Sequence, residues 1–387
     1  MRVAIVGAGI GGLAAAVALS RRGIGVEVYE QAAELREVGV GMHLAPNGSR
    51  VLHRWGLAGR LRETAVRPAA LEVRDGANGK TLFRQPMGRS WEAEFGAPYY
   101  TIHRADLHGI LAERLPRGCL HLRNRLVGFR EQVDGVRLEF AGGGRAEADV
   151  LVGADGVNSA VRRAVAGPDS AVFSGHSAVR GTVPAVSLPR LPARTLFVWT
   201  GAASRLLCYP VSGGALWTYV AVLPDAAPRR ESWSAVAGPA VLARAFRGWN
   251  RDVTALVEAA DEAGCWALHD REPLPSWTRG RVTLLGDAAH PMLPHHGQGA
   301  SQAIEDGAAL AHCLAAGPTV PSALLAYEAV RRAHTTRVQL GARDGGSLRL
   351  RPSPGAGGGS GAASLVRDID WIQRHDVERV FTQERSG

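Results

Sequence analysis

The sequence predicts an α/β protein that combines a Rossmann-type domain, a mixed β-sheet domain and a C-terminal helical extension. Residues 2–6 (RVAIV) form a short apolar run typical of a parallel strand buried on both faces, and a glycine-rich turn and an alanine-rich helix follow it. Between residues 120 and 270, apolar and polar residues alternate in several stretches, which indicates antiparallel strands. Buried-strand patterns return at 148–156 and 281–290. We therefore expect the Rossmann-type domain to be discontinuous in sequence.

The first 30 residues predict one βαβ unit. The helix after GAGIGG is expected to extend to about Arg22, Gly23 is a natural stop, and residues 25–30 (GVEVYE) supply the second strand. From about residue 120, HLRNRLVGF and VRLEF alternate around glycine-containing turns and predict an antiparallel meander. ADVLVGADG then predicts a buried strand, and the next helix is expected to begin near Asn158.

The second half of the chain predicts further strands, including RLLCYPV and LWTYVAVLP, and four helices. The helices are expected at about 235–248, 299–313, 321–341 and 364–381. The last of them is amphipathic and is expected to pack through Leu365, Ile369, Ile372 and Val380. The stretch RPSPGAGGGSGAA before it is too poor in apolar residues to order itself and is predicted to be a flexible linker.

These elements predict three regions. We assign them as follows: the Rossmann-type domain to residues 1–70, 100–170 and 271–345, the mixed-sheet domain to 71–99 and 171–270, and the linker and C-terminal helix to 346–387.

Composition narrows the class of protein. The 387 residues are 46% apolar and carry a formal net charge of +9, but Lys80 is the only lysine and the arginines are spread along the chain. This distribution favours anionic small ligands over nucleic acid. The four cysteines lie far apart without metal-ligand spacing, which is typical of reduced thiols in a cytoplasmic protein. No signal peptide or membrane span is expected, and nothing in the pattern specifies an oligomeric state.

A nucleotide-binding fingerprint lies between the first strand and helix. Gly7, Gly9 and Gly12 match GxGxxG, in which the first glycine allows the turn, the second admits a pyrophosphate and the third permits close packing. The helix N-terminus then offers free N–H groups to that anion. Glu30 ends the second strand, where an acid accepts hydrogen bonds from ribose hydroxyls. This fingerprint by itself fits both NAD and FAD.

The stretch RVTLLGDAAHPMLPHHGQGASQAIEDGAAL is more informative. Its strand places Asp287 at the carboxyl end, where the ribityl chain of a flavin donates to a carboxylate. The loop from Pro294 leads into a helix beginning at Gly299, and the N-terminus of that helix favours negative charge on a reduced flavin.

Taken together, GAGIGG with Glu30, GADG at 153–156 and GDAAHP at 286–291 resemble the class A flavoprotein aromatic hydroxylases, the para-hydroxybenzoate hydroxylase-like group. The resemblance covers about residues 1–345. VGVGMHLAPN, YTIHRADLH and PHHGQGASQAIED are most similar to 6-hydroxynicotinate 3-monooxygenases and salicylate hydroxylases. Ala289 departs from the GDACHP of the 6-hydroxynicotinate enzymes, which weakens the assignment of a pyridine substrate.

The resemblance implies an FAD-dependent monooxygenase that hydroxylates a phenol or hydroxylated aromatic acid with O2. NADH or NADPH is expected as a transient co-substrate, since no second nucleotide fingerprint is present. The resemblance associates the stretch that contains Asp155, GADG at 153–156, with both FAD and NAD(P)H. The further FAD contacts that the resemblance implies are Glu30, Gln31, Arg104, Leu126, Asp287, Gly299 and Ala300.

Three side chains are candidates for activating the substrate. Electrophilic oxygen transfer needs an electron-rich ring, and a base that removes a phenol proton supplies it. His43 in the GMHLAPN loop is the first candidate, and His295 and Tyr209 are the others, each with a purely structural alternative. Arg180 and Arg205 are candidate partners of a substrate carboxylate.

Two alternative functions stay open at this point. One is a flavoprotein of the same fold that oxidises a polycyclic or non-aromatic natural product, and the other is an FAD-binding protein without turnover. No metal site is expected, because the histidines at 290, 295 and 296 lack a carboxylate or cysteine at a suitable spacing.

Overall fold

The computed structural model describes residues 1–35, 40–201, 203–225, 236–261, 263–343 and 369–383. The strands are β1 (Arg2–Val6), β2 (Gly25–Tyr29), β3 (Gly41–Leu44), β4 (Ala70–Asp75), β5 (Thr81–Pro86), β6 (Tyr100–His103), β7 (Leu120–His121), β8 (Leu126–Glu131), β9 (Val136–Phe140), β10 (Arg145–Ala148), β11 (Val150–Gly153), β12 (Val172–Pro184), β13 (Thr195–Thr200), β14 (Arg205–Val211), β15 (Leu216–Pro224), β16 (Val236–Ala237), β17 (Ala263–Asp270) and β18 (Val282–Leu284). The α-helices are α1 (Ile10–Ser20), α2 (Pro46–Arg54), α3 (Ala58–Thr64), α4 (Arg89–Phe95), α5 (Arg104–Ala112), α6 (Ala160–Ala166), α7 (Pro239–Ala245), α8 (Arg251–Ala259), α9 (Gly299–Ala316), α10 (Val320–Arg343), α11 (Asp370–Arg374) and α12 (Val377–Gln383).

The first apolar run forms the centre of a five-stranded sheet of order β18-β11-β1-β2-β7. Every neighbouring pair in this sheet is parallel. Val3 and Ile5 of β1 are fully buried, because helices cover both faces of such a sheet. The strands come from widely separated parts of the chain, so the Rossmann-type fold is confirmed.

Helices α1 and α9 pack closely beside this sheet. Leu13 and Leu19 of α1 are fully buried, because the helix has the sheet on one side and α9 on the other. The close approach needs a glycine: a Cβ at Gly307 of α9 would lie 2.9 Å from the backbone nitrogen of Ala15. The N-terminus of α9 is thereby fixed beside the glycine-rich turn after β1.

An eight-stranded mixed sheet has the order β16-β17-β12-β15-β14-β13-β4-β5. Its neighbours are antiparallel, except that β13 and β4 run parallel. Phe197, Trp199 and Tyr219 contribute to its buried face together with α7 and α8. The predicted mixed sheet is confirmed, and the domain boundaries stay a prediction.

The alternating region after residue 120 was predicted as one meander, which is wrong for its start. Leu120–His121 joins the parallel sheet beside β2. Only β8, β9 and β10 form an antiparallel sheet. The alternation signal cannot separate the two, because a two-residue strand is too short to show a period.

The helix predicted over 235–248 is shorter than expected. Residue 235 lies outside the described residues, Val236–Ala237 is a strand paired with β17, and the helix spans only Pro239–Ala245. Pro239 suits the first turn of a helix because its missing N–H is not needed there. Asn250 then caps a separate helix, α8, which was not predicted.

The single C-terminal helix predicted over 364–381 is also wrong. The described part forms α11 and α12, separated at His375, whose backbone is extended (φ −59°, ψ 131°). Ile372, Val377 and Phe381 are buried, whereas Val380 is only partly buried. Leu365 and the predicted linker over 351–363 lie outside the described residues. None of the described helices is long and apolar enough to cross a lipid bilayer.

Candidate functional site

A cleft of about 330 Å³ opens at the carboxyl ends of β1, β11 and β18. Its walls are the glycine-rich turn after β1, the turn after β18, the N-terminus of α9 and one face of the mixed sheet. Ligands of open α/β sheets bind at this edge, because the helix N-termini and loops converge there.

The three glycines of the fingerprint have different structural reasons. Gly7 has φ +103°, and a Cβ there would lie 2.3 Å from the Ala154 carbonyl oxygen. A Cβ at Gly12 would lie 1.9 Å from the carbonyl oxygen of Gly7. At Gly9, in contrast, a Cβ would meet only an Arg104 nitrogen at 4.0 Å and would project into the cleft. The protein itself does not need a glycine at position 9, which fits a closely approaching pyrophosphate.

Glu30 lies beside this turn. One carboxylate oxygen accepts a hydrogen bond from the Ala8 N–H at 2.8 Å, and the other accepts one from the Ala32 N–H at 2.8 Å. The acid is therefore held at the end of β2, where a ribose would reach its remaining lone pairs. Gln31 beside it is exposed.

Two other predicted FAD contacts have side chains engaged elsewhere. The Asp155 carboxylate accepts hydrogen bonds from the Ser159 hydroxyl and the Ala160 N–H, so it caps α6. Its neighbours Ala154 and Gly156 line the cleft instead. The Leu126 side chain is packed in the core and is 7% exposed.

The turn after β18 presents a carboxylate to the cleft. The Asp287 side chain is exposed and has no hydrogen-bond partner among the described residues. Gly299 and Ala300 begin α9 and also line the cleft, and no side chain caps this helix N-terminus. A free carboxylate for hydroxyl groups and free N–H groups for negative charge both fit FAD.

A buried network that was not predicted holds this turn. The Asp306 carboxylate accepts hydrogen bonds from the Gly286 N–H at 3.0 Å, from His290 Nε2 at 2.6 Å and from Arg331 Nε at 2.7 Å. Burial raises the pKa of Asp306, but His290 and Arg331 outweigh it and hold the pKa at about 2. The network ties GDAAHP to α9 and α10. The sequence signal for it was Arg331, which shares a helical face of α10 with the apolar Leu324, Tyr327 and Val338.

His43 lies on β3, between the mixed sheet and the loop before α9. Its Nδ1 is 2.9 Å from the hydroxyl oxygen of Tyr99, and its ring centroid is 4.4 Å from that of Tyr209. Burial, with a smaller effect from Arg180, lowers the pKa of His43 to about 4. The imidazole is therefore neutral at pH 7. Sequence reasoning missed Tyr99, which lies 56 residues from His43.

Tyr209 and Tyr99 stay protonated, because burial raises the pKa of each hydroxyl. Tyr209 is 2% exposed, and its hydroxyl has no hydrogen-bond partner among the described residues. The structure thus brings two of the three candidate side chains, His43 and Tyr209, into contact.

His295, the third candidate, is engaged with a cation. Its Nδ1 lies 2.7 Å from Arg205 Nη2. Since a guanidinium only donates, this contact leaves the proton of a neutral ring on Nε2. Burial and Arg205 lower the pKa of His295 to about 3. Arg180 lines the cleft over the Trp266 ring, and it has no hydrogen bond or ion pair to the described residues.

A second cavity adjoins the cleft, and we call it the inner chamber. It has a volume of about 120 Å³ and a mostly apolar lining that includes Val73, Phe83 and Leu196. The residues shared with the cleft are His43, Leu207, Pro294, His295 and Gly297. The two cavities therefore meet at the candidate catalytic residues.

A group of Glu305, His334 and His375 lies behind this region with ligand-type atoms within 4.8 Å of one another. The two imidazoles stack with centroids 3.7 Å apart and an angle of 25° between the rings. Metal-bound imidazoles hold the ion in the plane of each ring, and nearly parallel stacked rings have no common point at bonding distance. The Glu305 carboxylate instead accepts from His375 Nδ1 at 2.7 Å and lies 3.5 Å from Arg331.

Comparison with known proteins decides the family. Residues 1–341 match the FAD binding domain family. The chain belongs to this family. It is 44% identical to a 3-amino-4-hydroxybenzoate 2-monooxygenase of Streptomyces platensis over 348 residues, 89% of this chain and 87% of that protein. It is 37% identical to a 6-hydroxynicotinate 3-monooxygenase of Pseudomonas fluorescens, covering 91% and 93% of the two chains.

Solved structures agree with this family. A salicylate hydroxylase in a substrate complex superposes with a TM-score of 0.83 at 29% identity, covering 98% of this chain and 96% of that one. The predicted class A hydroxylase group, the FAD cofactor and the monooxygenase activity on an aromatic substrate are confirmed. The roles of the individual site residues stay predictions.

Proposed function

We propose that this FAD-dependent monooxygenase hydroxylates a benzoate that carries a ring hydroxyl, and that the ring binds in the inner chamber. The observation that carries the proposal is the meeting of two cavities at His43. The larger holds the features that fit FAD, and the smaller is mostly apolar, with a volume of about 120 Å³ that is of the same order as the cavity of about 150 Å³ known to bind benzene. The 3-amino-4-hydroxybenzoate enzyme from Streptomyces platensis supports this substrate class.

FAD, when bound, supplies the two-electron reduction and the activation of O2. The chain holds it through the Gly9 turn, Glu30, Asp287 and the first N–H groups of α9. Arg180 adds a positive charge that no described carboxylate neutralises, and this charge favours an anion in the cleft. NADH or NADPH docks only transiently, and the use of these reductants together with four free, buried cysteines supports a cytoplasmic location.

His43 accepts the phenol proton in this proposal. The proposal requires the His43 tautomer in which Nδ1–H donates to the Tyr99 hydroxyl oxygen 2.9 Å away, because this tautomer leaves the Nε2 lone pair for the proton. A pKa of about 4 means that the ring holds a proton about 3 kcal/mol less well than an ordinary histidine. The negative charge of the phenolate beside the imidazolium offsets this lower proton affinity. His43 therefore holds the proton only while the phenolate is present.

Arg205 and His295 lie at the passage between the cavities. The contact with Arg205 leaves His295 with a protonated Nε2, which donates rather than accepts. We therefore assign His295 to hydrogen bonding of a substrate oxygen, and Arg205 to holding His295 in that tautomer.

Oxidation of a polycyclic product is the less favoured alternative, because a chamber of about 120 Å³ is too small for fused rings. Product analysis separates the two. The holoenzyme is incubated with NADH or NADPH and a panel of benzoates, pyridines and polycyclic phenols, and hydroxylated product is measured against reductant consumed. We expect coupled turnover with a hydroxybenzoate. Coupled turnover with polycyclic phenols alone would refute the proposal.

A further inference from the structure

The inner chamber has an outer wall from the distant C-terminal end of the chain. Ile369, just before α11, and Gln373, within α11, line the chamber together with strand residues of the mixed sheet. Gln373 is 1% exposed. The chain therefore closes its inner chamber with a polar side chain from a segment that lies far from the other site residues in sequence.

The orientation of the Gln373 amide is fixed by its neighbour. Trp91 Nε1 lies 3.0 Å from Gln373 Oε1. An indole nitrogen only donates, so the amide oxygen must face Trp91 and the amide nitrogen must face away from it. That nitrogen has no hydrogen-bond partner among the described residues. Because Gln373 lines the chamber, the N–H groups that do not face Trp91 are available to a ligand bound there.

The segment that carries Gln373 is firmly held. Arg50 donates to the His375 carbonyl at 2.6 Å, and Arg54 makes two hydrogen bonds to the Asp376 carboxylate at 2.7 and 2.6 Å. His375 bonds Glu305 on α9 at 2.7 Å. Residues of both α2 and α9 bind the segment that directly follows α11. The amide donors are thus presented to the chamber with little freedom, as a positioning group requires.

The polar and charged groups that line the chamber indicate which chemical group of a ligand would bind Gln373. No acidic side chain lines it among the described residues, and the amide offers two N–H donors. These donors suit an acceptor oxygen on a ligand in the chamber. A carboxylate oxygen accepts from such an N–H group, and hydrogen bonds to a charged acceptor are stronger than those to a neutral one.

We propose that Gln373 binds the carboxylate of the aromatic substrate and so sets both the specificity for acids and the ring position that is presented to His43. This inference rests on the proposed function, because it assumes that the ring occupies the inner chamber. Gln373 acts as a substrate-positioning residue, and Trp91 acts through it.

The test measures binding to the FAD-loaded full-length enzyme by the change in flavin absorbance. The probes are 3-amino-4-hydroxybenzoate and 2-aminophenol, which is the same ring without the carboxylate. Gln373→Leu removes the donors at similar volume, and Trp91→Phe removes the group that orients them. Arg374→Gln is the matched control, because Arg374 lies on the same helix and its exposed side chain binds Glu94.

We expect the Kd for the acid to rise by about 10-fold to 100-fold in Gln373→Leu. The Kd for 2-aminophenol should not change, and Trp91→Phe should show a smaller loss of the same selectivity. Arg374→Gln should leave both Kd values unchanged. FAD content and melting temperature measured on each variant separate a binding defect from a folding defect.

An unchanged Kd for the acid in Gln373→Leu would overturn this inference and leave the proposed function intact. Equal losses for both probes would overturn it as well, since they would indicate a wall without specificity. Tight binding of the acid without hydroxylation would contradict the proposed function alone. If the parent enzyme binds neither probe, this inference is wrong, and turnover of the benzoate panel decides the proposed function separately.

Discussion

Substitution of Gly9 and of Gly12 should separate cofactor binding from folding. A Cβ at position 9 meets only an Arg104 nitrogen at 4.0 Å, and the backbone there (φ −70°, ψ −178°) is open to any residue. Gly9→Ala should therefore change the stability without FAD by at most about 1 kcal/mol. A Cβ at position 12 would lie 1.9 Å from the Gly7 carbonyl oxygen, so two backbone segments must move apart. Gly12→Ala should cost about 3 kcal/mol.

The effect on FAD follows from the same geometry. At FAD 100-fold above its Kd, binding stabilises the parent protein by about 2.7 kcal/mol. If the added methyl group raises the Kd about 100-fold, the same FAD concentration stabilises Gly9→Ala by only about 0.4 kcal/mol. Gly9→Ala should thus melt like the parent without FAD and lose nearly all of the shift that FAD causes.

The assay is thermal unfolding of each variant with and without added FAD, together with the flavin content of the purified protein. Gly12→Ala should melt several degrees lower even without FAD. The reasoning is refuted if Gly9→Ala purifies with full FAD and shows the parent shift, because the turn after β1 would then not be the pyrophosphate site.

Three further predictions concern the site and its support. His43→Ala should keep FAD but lose about 10²-fold in hydroxylation rate and release more peroxide per NADH oxidised. If the variant hydroxylates at the rate of the parent enzyme with unchanged pH dependence, His43 is a structural residue. Asp306→Asn should lower the free energy of unfolding by about 3 to 5 kcal/mol, because Arg331 loses one of its two buried carboxylate partners and His290 loses the carboxylate that it contacts. A change below about 1 kcal/mol in denaturant melts would contradict this. Burial and Arg331 lower the pKa of His334 to about 3, so the folded protein favours the neutral imidazole. The stability that this residue allows is complete above pH 6.5 and is lost as the pH falls toward 3, because the unfolded chain binds the proton first. A His334→Asn variant should therefore show a flatter dependence of melting temperature on pH over that window.

Local patterns were sufficient for the parallel sheet and for the glycine-rich turn after β1. A buried parallel strand needs a continuous apolar run, and a pyrophosphate turn needs glycines at fixed spacing, so Val3 to Gly12 carry both signals within ten residues. Asp287 was predictable for the same reason, because a strand end and the following turn position it. The C-terminal helix was predicted incorrectly, since its amphipathic period does not reveal the break at His375, where Glu305 binds the side chain and Arg50 binds the carbonyl group.

The amino-acid sequence by itself determined the fold class, and its resemblance to the class A flavoprotein hydroxylases implied the cofactor and the kind of reaction, because each motif that carries these signals is short and local. Only the tertiary structure decided which side chains line the inner chamber. Tyr99 lies 56 residues from His43, and Trp91 lies 282 residues from Gln373. Such contacts depend on how separate elements pack, and no local periodicity or spacing encodes them. The pKa of about 4 at His43 has the same origin, since the burial that lowers it exists only after the mixed sheet, β3 and the loop before α9 have come together.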